Sequence, residues 1–409
     1  MTKRVVVTGL GVVAPAGIGK DPFWENLKAG RCSIGPIVHF DSSDFRTQIA
    51  ATVQRTLLPE ASPTSDPRFW DLSAHFALLS AREAIRDSRL ARLPQDAAII
   101  IGSAVGGIVS LDQQFQNFYI RGKRSVMPYT IPRTMLSATS SLLGIELGAR
   151  GPNLTVSTAC SSSSHAIGWA FRMISSGVLQ TCLAGGTECP VSPGHLQAWD
   201  RMRALANDND TPERACRPFS KNRAGLVLGE GAAALILEER DAAVARGAPV
   251  YGELVGYGSN CDAYNMIQPS EESQAECIQK ALEEAGQPDR IPEYISAHAT
   301  GTLEGDKKET LAIKRCFGQQ AYRIPVSGIK SMIGHTLGAS GALAVVATLL
   351  AMRDGILPPT MNLEESDPEC DLDYVPNSCR NCAADFALVH AFAFGGSNAV
   401  LALSRDGCS

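Results

Sequence analysis

The chain has 409 residues, 44% of them hydrophobic and 19% charged, the balance of an ordinary globular protein. That length calls for one large α/β domain or two fused halves rather than one small core. A net charge of −5 argues against a general nucleic-acid surface, which requires a basic field, and still allows local basic patches for an acidic protein partner.

In chain order, Met1-Thr-Lys-Arg4 leads into an apolar run that breaks at Gly9, too short for a secretion signal. A cytoplasmic location is therefore expected, with the twelve cysteines reduced. Residues 3–8, KRVVVT, read as a buried strand ending at Gly9-Leu-Gly-Val-Val-Ala14. That end imitates the dinucleotide fingerprint GxGxxA, which works only where a helix starts at the turn. Here Pro15-Ala-Gly17 interrupts, and the next helical run begins near Pro22-Phe-Trp24, so no nucleotide site is expected. Residues 69–90 carry Phe69, Leu72, Phe76, Leu79, Ala84 and Ile85 at helical spacing. Residues 96–102 read as a second buried strand, then a glycine-rich turn to Gly107. Further strands are expected over 181–188 and 232–238, and helices over 161–176 and 271–286. The longest apolar run, 341–352, falls short of the roughly 18–20 residues of a membrane span and reads as a buried helix. Cys379 and Cys382 have CxxC spacing without a second pair or a histidine at ligand spacing, so a loop and no metal site are expected. Short strands alternating with helices give an α/β fold.

The C-terminal part echoes the N-terminal part three times in the same order. YISAHATGT (294–302) matches AIIIGSAVGG (98–107). VSGIKSMIGHTLGASGALAVV (326–346) matches LTVSTACSSSSHAIGWAF (154–171). FAFGGSN (392–398) matches LAGGTE (183–188). Two related halves are expected, 1–248 and 249–409.

Three windows carry chemistry. In STACSSSSHAIG (157–168), Cys160 lies where a strand hands over to a helix, whose N-terminus favours a thiolate. The serines suit a first turn. A small buried cysteine would also fit this window. In SAHATGT (296–302), followed by Gly305, Asp306 and Glu309, His298 follows an apolar strand within small residues. In SGIKSMIGH (327–335), Lys330 and His335 lie in a glycine-flanked strand-to-helix turn.

With FGGSN (394–398), these windows resemble the decarboxylating β-ketoacyl synthases of the thiolase superfamily, and most nearly the freestanding elongating type. The resemblance runs from VVVTGLGVVAPAG to FGGSNAVL and includes RPFSKNRAGLVLGEGAAALILEE (217–239). It implies a five-layer αβαβα fold of two duplicated halves and a dimer, of two copies or with a chain-length-factor-like homologue. It implies no metal or nucleotide cofactor: substrates arrive on the phosphopantetheine of acyl carrier protein. Cys160 is then the acyl nucleophile. His298 and His335 promote loss of CO₂ by stabilising the enolate. The backbone N–H groups of Cys160 and Phe394 form a second oxyanion hole. Lys330 supports the electrostatics, paired with Glu309, with Asp306 in the same network. Thr300 and Thr302 bind the pantetheine arm. Phe394 gates the acyl pocket, and Gly395 and Gly396 let its loop move.

Departures from the family pattern fall at Ala299, where glycine is usual, at Thr130, where an aromatic is common, and at Val105, where a larger aliphatic is common. The last two imply a roomier or redirected acyl channel. Arg68 stands where relatives carry a denser basic run, and Arg121, Lys123, Arg124, Arg201 and Arg203 are alternative carrier-docking residues. These departures favour a type II polyketide or polyene pathway over fatty-acid elongation. A non-catalytic chain-length subunit would lack the nucleophile. A hydrolase would need a G-x-S-x-G elbow, which is missing. A thiolase would use a second cysteine in place of one histidine function.

Overall fold

The computed structural model describes residues 2–60 and 63–405. Ten principal strands form one sheet: Val5–Ala14 (β1), Ala98–Gly102 (β2), Asn153–Val156 (β3), Thr181–Glu188 (β4), Gly231–Glu239 (β5), Gly252–Cys261 (β6), Tyr294–Ser296 (β7), Val326–Ser327 (β8), Phe386–Phe392 (β9) and Ser397–Ser404 (β10). The short strand Gly17–Ile18 is an eleventh, paired to β1. Outward from the β1–β6 contact, where Val5 faces Leu254, the order is β1-β5-β4-β2-β3 on one side and β6-β10-β9-β7-β8 on the other. Each strand of the second arm is the counterpart of the strand five places earlier. In both arms the outer three strands are parallel and the inner pairings antiparallel. The three sequence echoes fall on counterpart strands: β2 and β7, β3 and β8, β4 and β9. Position 248, where the halves were expected to meet, lies in the connection between the short helix Arg240–Ala245 and β6.

Six helices complete five layers: Leu72–Asp87 (α1), Ala138–Leu147 (α2), Ser162–Ser175 (α3), Glu271–Glu284 (α4), Leu303–Phe317 (α5) and Ser340–Asp354 (α6). α1 and α2 cover the outer face of the first arm, and α4 and α5 that of the second. α3 and α6 pack on each other between the arms. A helix covered on all sides is apolar on all sides, and Ser340 through Met352 are all buried. The stretch Leu337–Asp354 is long and apolar enough to cross a membrane by composition, yet 89% of it is buried inside the protein.

β1 does not end at Gly9 but runs on to Ala14. A Cβ on Gly9 would lie 2.1 Å from the Ala84 carbonyl, and one on Gly11 1.9 Å from that of Ser80. The glycines therefore let α1 lie directly on the strand, which explains the GxGxxA pattern without a nucleotide. Strand β7 stops at Ser296, so His298 is already in a turn. Around the CxxC, Arg380–Asn381 forms a short strand paired with Ile356–Leu357 rather than a loop, and Cys379 is exposed. Among the described residues no three His, Cys, Asp or Glu side chains are grouped as metal ligands.

Candidate active site

Cys160 lies in a tight 3₁₀ turn, Ala159–Ser161, between β3 and α3. Ala159 has φ +50°, a costly left-handed conformation for a residue with a Cβ. The serines hold that turn. Ser162 Oγ accepts from Thr158 N–H at 2.9 Å, and Ser161 Oγ donates to the Thr158 carbonyl at 2.9 Å. Ser163 Oγ accepts from Ala342 N–H at 2.9 Å and so joins the two central helices. The second half repeats the device: Leu337 has φ +41° and opens the turn Leu337–Ala339 before α6.

Burial dominates the thiol. It pushes Cys160 up to about 12, against the charge of Lys330 and the N–H groups of Phe394 and Cys160, while Glu188 adds to the rise. The thiolate expected from the helix N-terminus is thus overridden by burial, and the resting group is a neutral S–H. The N–H groups of Phe394 and Cys160 do face the sulfur.

The His298 and His335 rings meet edge to face, with centroids 5.4 Å apart. Burial, then the charge of Lys330, drives both imidazoles well below 6.5, with His335 and His390 adding to the effect on His298. Both are neutral at pH 7. His335 Nδ1 lies 2.9 Å from Ser340 Oγ, and His298 Nδ1 is buried without a hydrogen-bond partner.

Lys330 does not form the expected direct ion pair with Glu309. Its Nζ donates to the His298 carbonyl at 2.5 Å. Glu309 accepts from the N–H groups of His298 (2.7 Å) and Ala299 (2.8 Å), and its Oε1 lies 3.0 Å from His390 Nδ1. The carboxylate and ammonium therefore grip the His298 backbone from its two sides. Burial lowers the Lys330 pKa, opposed chiefly by Glu309. Asp306 accepts from Phe219 N–H (2.8 Å) and Gly301 N–H (3.1 Å) and lies 3.7 Å from Arg223. Burial raises it to about 7. It braces the Thr300–Thr302 loop rather than bonding Lys330. Ala299 has φ +45°, so this position does require the left-handed region.

A cavity of about 520 Å³ is lined by Cys160, His298, His335, Thr300, Thr302 and Phe394, among others. The two threonine hydroxyls are 2.9 Å apart, and Thr302 also caps α5 through Gly305 N–H. Gly395 and Gly396 have φ +79° and +72°. Rather than leaving the loop free, they tether it: Gly395 N–H donates to the Met266 carbonyl (2.8 Å), and Asp262 N–H to the Gly396 carbonyl (3.0 Å).

Val105 and Thr130 do not line this cavity. Val105 N–H is turned to Glu188 (3.2 Å), and Thr130 Oγ1 donates to the Met127 carbonyl (2.7 Å). Arg68 pairs with Asp66 and lies over the Tyr129 ring at 4.6 Å, with its side chain 59% exposed. Arg121 donates to Asn117 Oδ1 (3.2 Å). Lys123, Arg124, Arg201 and Arg203 are exposed, and Arg203 lines the cavity mouth.

Three residues escaped the sequence reading. Glu188 is buried behind Cys160 and accepts from Ser103 Oγ (2.9 Å) and from the N–H groups of Ala104 (2.6 Å), Val105 (3.2 Å) and Gly338 (2.9 Å). It links the turn after β2 to the one after His335, and burial raises it to about 7. Arg223 binds the Thr302 and Leu303 carbonyls. Trp199 stacks on Phe394. The acidic end of TCLAGGTE was the one available signal for Glu188; nothing local marks Arg223 or Trp199.

Two family profiles match the sequence: Beta-ketoacyl synthase, N-terminal domain, over residues 2–243, and Beta-ketoacyl synthase, C-terminal domain, over 251–364. The 3-oxoacyl-[acyl-carrier-protein] synthase 2 of Synechocystis sp. is 41% identical over 98% of both chains. The tetracenomycin polyketide synthase ketoacyl synthase alpha subunit of Streptomyces glaucescens is 40% identical over 98% of this chain and 97% of that one. The structure of the ishigamide ketosynthase/chain length factor superposes with a TM-score of 0.94 at 32% identity, over 100% of both chains. With the duplicated five-layer architecture, these matches establish that the chain belongs to the β-ketoacyl synthase family of condensing acyltransferases.

Proposed function

We propose that this chain extends acyl chains on acyl carrier protein in a type II polyketide or polyene pathway, with Cys160 as nucleophile. The observation that carries the condensation is the convergence of Cys160, His298 and His335 on one cavity, and the pathway reading is supported by the 40% identity to the tetracenomycin polyketide synthase ketoacyl synthase alpha subunit. Cys160 Sγ attacks the acyl thioester carbon, and the N–H groups of Cys160 and Phe394 receive the oxyanion. The pantetheine sulfur leaves and takes the thiol proton. A malonyl thioester then enters, its carbonyl oxygen facing the imidazoles. Neutral His335, accepting from Ser340 at Nδ1, presents Nε2–H, and His298 supplies the second donor. CO₂ departs, and the C–C electron pair becomes an enolate that attacks the acyl carbon on Cys160. The Cys160 sulfur leaves and one proton from solvent restores the thiol. Burial, reinforced by the charge of Lys330, keeps the imidazoles neutral. The chemistry as written uses no metal and no bound cofactor.

Acyl carrier protein docks at the cavity mouth, with Arg203 nearest and Arg201, Lys123 and Arg124 as further cations for its acidic surface. The enzyme pairs with a second copy or with a chain-length-factor-like homologue and works in the cytoplasm. The exposed Tyr119 (75%) and Ile120 (79%) support such pairing. Fatty-acid elongation is the second reading, supported by the 41% identity to the 3-oxoacyl-[acyl-carrier-protein] synthase 2 of Synechocystis sp.. The test is intact-mass and peptide mapping after incubation with acyl- and malonyl-loaded carrier, with Cys160→Ala as control. An adduct on Cys160 that is consumed on adding malonyl carrier, with an extended β-ketoacyl product, is the expected result. No adduct with any donor overturns the assignment.

A further inference from the structure

The wall beside the nucleophile is built from two nearly parallel aromatic rings. Trp199, on the helix Pro193–Met202, stacks on Phe394 with centroids 5.9 Å apart and an interplanar angle of 26°. Both line the cavity with Cys160 and pack with it in one apolar cluster that includes Leu205 and Leu226. Phe394 also turns its N–H to the sulfur, and the shared packing of Cys160, Trp199 and Phe394 sets the ring pair beside the acyl attachment point.

The indole is locked in place. Its Nε1–H donates to His195 Nε2 at 3.2 Å. His195 Nδ1 lies 2.7 Å from the Pro190 carbonyl, an oxygen that only accepts, so Nδ1 carries the proton and Nε2 keeps its lone pair. The two bonds require the same tautomer. Rotating the Trp199 ring would break its hydrogen bond and its stacking on Phe394 together.

We infer that Trp199, held by His195 and stacked on Phe394, selects planar conjugated acyl chains over saturated chains of the same length. This deepens the proposed elongation reaction and rests on it. A conjugated chain offers a flat π face that can lie along the rings, whereas a saturated chain offers only C–H contact and loses more rotamer freedom when it is held straight. One added stacking interaction of this kind corresponds to about threefold to tenfold in kcat/KM. His195 is a positioning residue, since it acts only through the indole.

The experiment compares kcat/KM for condensation with malonyl carrier of two matched donors, hexanoyl carrier and trans,trans-hexa-2,4-dienoyl carrier. Wild type should favour the dienoyl donor by about threefold to tenfold. Trp199→Leu should bring the ratio to about one, and Trp199→Phe should keep part of it. His195→Leu should lower the ratio while leaving an aromatic wall in place, an effect that loss of stability would not produce because both donors are read on the same preparation. Equal use of the two donors by wild type, or an unchanged ratio in Trp199→Leu, overturns the inference while leaving condensation intact. Failure of wild type to condense either donor removes the elongation reading, and this inference with it.

Discussion

At the residue scale, charge and backbone strain outweigh identity. Ala299 holds φ +45° while its methyl lies against Gly328, 2.5 Å from where a Cβ on that glycine would stand. The left-handed conformation costs about 1–2 kcal/mol. Replacement by glycine would relieve it but lose a buried methyl worth about 0.8 kcal/mol and add about 0.4–1 kcal/mol of unfolded-state entropy. Ala299→Gly should therefore shift stability by less than about 1 kcal/mol, whereas Ala299→Val should cost about 2 kcal/mol or more, read from denaturant midpoints. Burial, and after it the charge of Lys330, lowers both imidazoles, and protonation would remove their neutral form. In wild type that loss occurs well below pH 6.5. Lys330→Met removes the cation and raises the imidazole pKa values against the burial that still lowers them, so the acid limb of malonyl-carrier decarboxylation should move to higher pH. An unmoved limb would remove Lys330 from this role.

At the element scale, helix and strand approach decides what glycines mean. Gly9 and Gly11 in β1 fit a nucleotide pattern in one dimension and a helix contact in three. Gly11→Ala, whose Cβ would meet a backbone oxygen of α1 at 1.9 Å, should cost about 3 kcal/mol of unfolding free energy. A variant as stable as wild type would contradict the rigid fit of α1 on β1. The strand-to-helix turns after β3 and β8 repeat one left-handed residue and one 3₁₀ turn. That repetition explains why the short windows around Cys160 and His335 resemble each other in sequence: serines and glycines are what such turns accept.

At the scale of the whole molecule, the duplication makes the site. The first half supplies Cys160 from the turn after β3, and the second supplies His298 and His335 from the turns after β7 and β8. The functions should therefore separate by mutation. Cys160→Ala should abolish condensation yet keep malonyl-carrier decarboxylation, because both imidazoles remain. His335→Ala should keep acylation of Cys160 and lose about 10²–10³-fold in decarboxylation. Adduct mass and CO₂ release measure the two separately.

By itself the sequence determined the principal element types, though not the short strand at Arg380–Asn381, together with the internal repeat and the three reactive windows, because periodicity, turn residues and short-range spacing are local. Cys160, His298, Lys330 and His335 were legible for that reason, with the family resemblance assigning their roles. Tertiary structure decided what depends on distance across the chain. It separated Lys330 from Glu309 by placing the His298 backbone between them, kept Val105 and Thr130 off the cavity, and tied Arg68 to Asp66. It also brought Glu188, Arg223 and Trp199 to the site, of which only Glu188, at the acidic end of TCLAGGTE, carries a local mark. Burial set the protonation states, since desolvation of Cys160 and the two imidazoles comes from layers packed above and below them, which no stretch of sequence contains.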